Sequence, residues 1–594
     1  MDDLEQLRAA QATSRRQRVR VALAPLGLGG AGYRPNLYDL VAFILMAALF
    51  AVLAHGTREM AAPAATLATQ PVSLDPANLP EYALRTTLRM FAAILASLLF
   101  TFVVATLAAK SRRAELVIVP ALDILQSVPV LGFLTFTVAF FLRLFPNSVL
   151  GAECAAIFAI FTSQAWNMAF SFYQSLRTVP RDLDEVTRHF QLSPWLRFWR
   201  LEVPFAAPGL IWNAMMSMSG GWFFVVASEA ITVGDTTITL PGIGSWLSLA
   251  IAEKNIRAVV LAVLTMGAVI LAYDQLLFRP IVAWADKFRF EQTAATERPN
   301  SWVYELWRRG RLVRRLSPAL GWLANRISLL LPKATPRPLA VPNPARERLY
   351  GLIWLALVLI VLALALWRIA RFIETSLGLA DVATAVGLGL LTLLRVVVLI
   401  ALASLVWVPI GVWVGLRPRI STRIQAVAQF LAAFPANVLF PLAVVAIVSL
   451  HLDPNIWLSP LMVLGTQWYI LFNVIAGASA FPTDLREAAT LFQLRTWQWW
   501  RKAILPGILP YYVTGALTAT GGSWNASIVA EVASWGDVKL EAAGLGAYIA
   551  DATSAGDYPR VALGIAVMSI MVVTLNRLVW RPLYRLAERR FRLD

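Results

Sequence analysis

An all-α polytopic membrane fold, with about twelve transmembrane helices in two parallel six-helix repeats, is what the sequence predicts, and three observations predict it. The 594 residues are 58% hydrophobic and only 15% charged, with mean hydropathy +0.64, whereas a soluble chain carries about a quarter charged residues. Apolar runs near twenty residues recur, long enough to cross a hydrocarbon core as helices, and the alternating pattern of a membrane barrel is absent. Finally, the second half repeats the first at an offset of 302. The net charge of +17 does not point to nucleic acid, because most Lys and Arg fall in alternate loops, the pattern of cytoplasmic loops under the positive-inside rule. The single Cys154, in an apolar run, excludes an intrachain disulfide and argues against redox chemistry.

Residues 1–37 carry Arg15, Arg16, Arg18 and Arg20 and are expected in the cytoplasm. The first apolar run lacks a convincing small-residue cleavage site and is expected to be a retained helix, not a signal peptide. The first repeat, 38–280 with its core at 85–280, has predicted spans near 38–55, 86–108, 117–142, 150–171, 208–230 and 257–278. Pro129 lies inside the third, where neighbouring helices are expected to tolerate it. Residues 281–349 form a basic linker. Counted from Arg279 it has fourteen Lys and Arg against five Asp and Glu, with Trp302, Trp307 and Trp322 among them. It is read as interfacial, with a solvated cytoplasmic spacer as the alternative. The second repeat, 350–582 with its core at 390–582, has spans near 350–370, 383–415, 427–450, 457–477, 510–532 and 559–580. A basic tail, 583–594, places both termini inside.

The repeat runs residue by residue. Trp166 meets Trp468, Asp182 meets Asp484, Glu185 meets Glu487, and Phe190-Gln191-Leu192 meets Phe492-Gln493-Leu494. Pro204 meets Pro506, Trp222 meets Trp524, Glu229 meets Glu531, and Arg279-Pro280 meets Arg581-Pro582. Upstream the offset is 306, so that Thr86, Arg89 and Pro129 meet Thr392, Arg395 and Pro435. Six spans per half make the repeats parallel, with a path along the axis between them.

Two cytoplasmic loops, 172–205 and 479–509, stand out. Each has a turn, then acids suited to a helix N-terminus (Asp182 and Glu185; Asp484 and Glu487), then an aromatic and a leucine, Phe190 and Leu192 or Phe492 and Leu494, available to a partner. The bland alternative is a capped connecting helix. Polar residues within spans are functional candidates because lipid burial is costly. They are Gln164, Asn167, Asn213 and Ser219 with Trp222, and Gln467, Asn473, Thr518, Thr520, Ser523 and Asn525 with Trp524. They line a hydrogen-bonding path or brace helices against one another. Arg89 and Arg395 either attract an anion or snorkel to the interface, and the second is the simpler reading. Glu229 and Glu531 are read as a gate or as helix-cap contacts. No residue set suggests catalysis, and no metal is expected from the scattered His55, His189 and His451.

The pattern Glu487-Ala488-Ala489 followed by Leu505-Pro506 resembles the signature loop of permease subunits of binding-protein-dependent ABC importers. Glu185 and Pro204 match it more weakly. Both copies depart at the usual Gly, which is Gln191 and Gln493, and at the usual Ile, which is Leu201 and Ala503. The likeness covers about 85–280 and 390–582 and is nearest the duplicated nitrate, sulfonate and bicarbonate permeases. It implies the type I importer permease fold in a bacterial inner membrane. It also implies that Glu185 to Gln191 and Glu487 to Gln493 dock two separate ATPase subunits, and that an extracytoplasmic binding protein delivers a small oxyanion. ATP and Mg would be bound by the partner, since no Gly-x4-Gly-Lys-Ser/Thr loop occurs. Ferric iron or a small organic solute remains open as cargo. The rival from another class is an ion-coupled secondary transporter. It predicts a Gly-x3-Asp-Arg-type loop where Lys110-Ser111-Arg112-Arg113 stands, and membrane acids for proton coupling, of which the spans show almost none.

Overall fold

The computed structural model describes residues 72–126, 129–146, 148–190, 192–233, 236–288, 301–309, 344–494 and 496–590. The predicted span at 38–55 and most of the 281–349 linker lie outside them. The first repeat contains α1 (Leu79–Lys110), α2 (Arg112–Leu125), α3 (Val130–Leu144), α4 (Val149–Arg177), α5 (Arg181–His189), α6 (Pro194–Arg197) and α7 (Val203–Glu229). A hairpin of β1 (Ala230–Val233) and β2 (Thr236–Thr239) follows, then α8 (Ile243–Ala252), α9 (Ile256–Tyr273) and α10 (Arg279–Ala285). The linker contributes α11 (Trp302–Arg309), which packs on α10 with the Lys287 ammonium 5.3 Å from the Tyr304 ring.

The second repeat opens with α12 (Pro344–Glu374), α13 (Leu379–Gly415), α14 (Pro418–Ala433), α15 (Phe440–Ser449), α16 (Pro454–Trp457), α17 (Leu461–Leu464) and α18 (Gln467–Ser479). It continues with α19 (Thr483–Leu491), α20 (Thr496–Trp499), α21 (Leu505–Ala530), β3 (Val532–Trp535), β4 (Val538–Glu541), α22 (Leu545–Ser554), α23 (Tyr558–Leu575) and α24 (Arg581–Arg590). The two hairpins, each with four antiparallel residue pairs, are the departure from a purely helical chain.

Among the described residues seven helices are long and apolar enough to cross a membrane, or up to nine if each of two bent pairs counts as one span. Those bends account for two of the predicted spans, and the predicted span at 38–55 lies outside the described residues. Val427–Ala433 and Ala436–Ser449 meet at 82°, at Phe434-Pro435. Pro435 cannot donate to the preceding turn and disfavours helical geometry at Phe434. Its counterpart Pro129 likewise stands between α2 and α3, so the expected tolerance of a proline inside the third span is corrected at both copies. Pro454–Leu464 and Gln467–Ser479 meet at 43°, whereas the first repeat has the unbroken α4 there. Helix α21 is long but is not among the seven, as its Gly, Thr, Ser and Asn residues dilute its apolar character.

Four π-helical turns share one cause. Phe198–Glu202, Asp274–Phe278, Trp500–Ile504 and Asn576–Trp580 each end two residues before a proline, respectively Pro204, Pro280, Pro506 and Pro582. The pyrrolidine ring would clash with the carbonyl four residues back, and widening that turn relieves the clash.

Among the described residues the chain forms two compact units. One holds the described residues of 178–208 and 274–309; the other holds those of 72–177, 209–273 and 344–590. Inside the second unit the repeats interlock. Asn437 Nδ2 donates to the Phe223 carbonyl (3.1 Å), Asn525 Oδ1 accepts from the Val130 amide (2.7 Å), and Trp212 stacks on Phe472. The Gly536 amide, in a left-handed turn, donates to the Ile251 carbonyl beside an ion pair from Lys254 to Asp537 (2.8 Å). The hydrogen bond and charge of Lys254 hold the Asp537 carboxyl below its usual range. A depressed carboxyl stabilises the folded form above its unfolded pKa and loses that contribution as pH falls through the folded value. A Lys254→Met, Asp537→Asn double-mutant cycle should therefore show coupling that vanishes on such acidification and weakens with added salt.

Candidate coupling helices and buried ion networks

Helix α19 owes its start to Pro482 and its fixed pose to Arg486, whose Nη2 donates to the Ala478 carbonyl (3.2 Å). Glu487, Leu491 and Phe492 are exposed, the last two by 83% and 77%. Arg486, Glu487, Thr490 and Leu491 line an open recess of about 430 Å³. Ala489 faces inward at 6% exposure and Leu494 is half-buried. Ala489 is therefore corrected from a docking residue to a packing residue, while Ala488 and Leu494 are intermediate and Gln493 exposed. Leu491, one helical turn beyond Glu487, was missed. Its position at i+4 from the glutamate was the available signal.

The helix ends as αL-capped helices do. The Leu494 amide bonds the Ala489 carbonyl (2.9 Å) and the Gln493 amide the Thr490 carbonyl (3.0 Å). Gln493 takes φ +50° to permit this, so the position where the resembled loop carries Gly is one where a side chain is strained. Gln493→Gly should relieve about 1 kcal/mol, read as slower amide hydrogen exchange over 491–494. Unchanged exchange would deny the strain.

The first copy, α5, lies in the other unit. Asp182, Glu185 and Phe190 are exposed, Phe190 by 70%. Leu192 is half-buried, and its amide bonds the Thr187 carbonyl (3.0 Å). Arg197 braces the loop, reaching Asp184 (2.7 Å) and Glu202 (3.1 Å). Gln191 and the side chain of Asp484 lie outside the described residues.

At the hairpin end of each repeat stands a buried ion network. In the first, Arg89 on α1 is fully buried. Its Nε and Nη2 donate to the two oxygens of Glu153 on α4 (2.6 and 2.7 Å), and Nη1 donates to Glu229 Oε1 (2.6 Å) and the Pro241 carbonyl (3.0 Å). Glu229 Oε2 accepts from the Gly244 amide (2.7 Å) and Thr86 Oγ1 from the Ile243 amide (3.0 Å), capping α8. In the second, Thr392 donates to Glu531 Oε1 (2.8 Å). Arg395 Nη1 donates to that oxygen (3.1 Å) and to the Ala543 carbonyl (2.8 Å), and Glu531 Oε2 caps α22 through the Gly546 amide (2.7 Å). A Cβ at Gly244 or Gly546 would strike the Val226 or Ser527 carbonyl, so these helices close against the network only with glycine.

The snorkelling reading of Arg89 is thus overturned, since a buried guanidinium between two carboxylates is a structural tie. Glu229 and Glu531 make the cap contacts that were the alternative to a gate. Glu153 was missed, although an acid in an apolar run was the signal for it.

Most polar span residues are also bracing. Gln164 accepts from Ser97 (3.5 Å) and meets Met90 Sδ (3.1 Å), Asn167 meets Ser217 (3.2 Å), Asn213 meets Ser171 (2.8 Å) and Gln467 accepts from Trp407 (2.9 Å). Ser219, Asn473, Thr520, Ser523 and Asn525 each donate to the carbonyl four residues back, the common way for such groups to sit in a helix. Trp222 and Trp524 are buried with indole N–H groups that meet no partner among the described residues. Thr518 and the overlooked Thr514 stay exposed on α21, forming a polar ridge toward Asn525.

Residues 98–279 and 407–593 each match the family described as binding-protein-dependent transport system inner membrane component. The chain belongs to that family. It is a duplicated, multi-pass permease of the transport type. Its curated relatives include the bicarbonate transport system permease protein CmpB of Synechococcus elongatus, 28% identical over 189 residues (32% of this chain and 64% of CmpB). They also include the nitrate import permease protein NrtB of Leptolyngbya laminosa, 26% identical over 188 residues (32% and 64%). A CmpB of Synechocystis sp. is 29% identical over 178 residues (30% and 60%). The chain thus spans less than two thirds of the length of these relatives.

Proposed function

We propose that this inner membrane component carries both halves of the membrane path of an ATP-driven importer for a small oxyanion of the nitrate or bicarbonate class. The observation that carries the reading is the duplication of an exposed acid-and-apolar helix, α5 and α19, within two copies of one permease family. Each copy is an anchored helix that leaves an acid and apolar side chains exposed among the described residues. Separate ATPases dock there, at Glu185 and Phe190 and at Glu487, Leu491 and Phe492. The chain itself hydrolyses nothing, because it lacks a phosphate loop, and ATP and Mg belong to the partner. Both termini and both coupling loops are cytoplasmic on charge, and a binding protein supplies the solute from the opposite side. Thr514 and Thr518, exposed on α21, are the polar span residues that fit a path. The names of the relatives support an oxyanion as cargo. Co-purification with an ATPase, followed by Glu185→Lys and Glu487→Lys, tests this reading. The expected result is loss of bound ATPase and of solute-stimulated hydrolysis, and retention of both by the double variant would refute it.

A further inference from the structure

The two ion networks differ in one place, and the difference leaves an open cation. Around Arg89 the Nε/Nη2 edge is filled by the Glu153 carboxylate, held bidentately at 2.6 and 2.7 Å. The repeat offset of 302 puts Asn455 where Glu153 stands, and Ala543 where Pro241 stands. Pro241 has no N–H, so Glu153 keeps both oxygens for the arginine. Ala543 has one, and Asn455 Oδ1 accepts it (3.0 Å) while Arg395 Nη1 donates to the carbonyl of that same residue (2.8 Å). Asn455 is therefore beside Arg395 but turned to the backbone. Among the described residues Arg395 makes only its two Nη1 bonds, and its Nε/Nη2 edge donates to nothing. Its side chain is 16% exposed, against 0% for Arg89. Of the acids bonded directly to each arginine, Arg89 has two, Glu153 and Glu229, and Arg395 has one, Glu531; Asp453 accepts from Asn455 Nδ2 (3.3 Å) and forms no ion pair with Arg395 among the described residues.

We propose that the Arg395 fork binds an oxyanion, and that a planar three-oxygen anion such as nitrate or bicarbonate occupies the place that the Glu153 carboxylate fills in the first repeat. The first repeat supplies the template, a planar carboxylate on the same edge of the same residue. Two parallel charge-assisted bonds are the geometry a guanidinium offers to such a group. A phospholipid phosphate shares this chemistry and is the other source. The choice of nitrate and bicarbonate rests on the proposed function; the open fork does not.

The test uses the full chain in phosphatidylcholine nanodiscs in chloride-free buffer, with thermal unfolding followed against nitrate and bicarbonate, and again after including phosphatidylglycerol. The wild type should be stabilised by the anions. Arg395→Gln should weaken that response on the order of tenfold or more, the loss of at least one charge-assisted bond. The deciding variant is Asn455→Glu, which installs the missing carboxylate. It should lose the anion response while unfolding no earlier than the wild type without anion. Stabilisation by phosphatidylglycerol alone, abolished by both variants, would confirm the fork and assign it to lipid. A nitrate response undiminished in Asn455→Glu, or a wild type indifferent to all three, would overturn the proposal. ATPase binding through Glu487, measured on the same samples, separates the two readings: its survival without an anion response refutes the fork and leaves the transport function standing.

Discussion

Replacing Arg89 with Gln should prevent the chain from reaching a stable fold, whereas Arg395→Gln should yield a folded protein with a modestly lowered unfolding temperature. The residues occupy equivalent positions, and the difference lies in what each would leave behind. Without Arg89, Glu153 and Glu229 become two carboxylates at 1% and 0% exposure with no cation between them. An uncompensated buried charge costs about 3–5 kcal/mol, a large fraction of the stability of a typical domain. Without Arg395, Glu531 keeps Thr392 and the Gly546 and Ala547 amides, and about 1–2 kcal/mol is expected from the lost bond. Glu153→Gln should fall between, since it leaves Arg89 paired with Glu229 in the arrangement of the second repeat. Monodisperse yield and thermal unfolding in detergent provide the readout. Equal losses for the two arginine variants would mean that burial does not set the cost.

This contrast marks where the sequence was legible. The repeat register already paired Arg89 with Arg395 and Glu229 with Glu531, and the structure keeps every one of those pairings. It did not show that Arg89 and Glu229, 140 positions apart, are in contact, because hydropathy along one chain carries no information on which faces meet. Nor did it reveal the third member, since Glu153 lies in a run that reads as apolar. Helix positions were read well and helix continuity poorly. Pro129 and Pro435 were seen, but whether a proline breaks a span or bends it depends on neighbours that offer the freed carbonyls a partner. For the candidate site, the two loops were found at their acids and aromatics. The inward turn of Ala489 was not, because a nine-residue helix has too few turns for periodicity to fix its buried face.

The paired variant Leu491→Ala, Phe492→Ala should weaken association with the ATPase on the order of a hundredfold, and Phe190→Ala by about tenfold. The first helix offers Phe190 and Val186, exposed by 70% and 50%, and the second offers Leu491, Phe492 and Leu485 at 83%, 77% and 41%. Full burial of one such side chain contributes about 1.5–3 kcal/mol, so the second helix holds more apolar surface for a partner to cover. The sequence differs in the same direction, with Glu-Ala-Ala retained in the second copy and Glu-Val-Thr with a basic Arg188-His189 in the first. Ala489, however, faces inward, so the grip rests on Leu491 and Phe492 rather than on the alanines. Because these side chains lie at the surface, the variants should unfold at the wild-type temperature, which separates a docking defect from a folding one. Titration of the purified ATPase against the full chain in nanodiscs measures the affinities. Losses of equal size at α5 and α19 would show that the partner grips both helices alike and that exposed apolar area does not set the strength of docking.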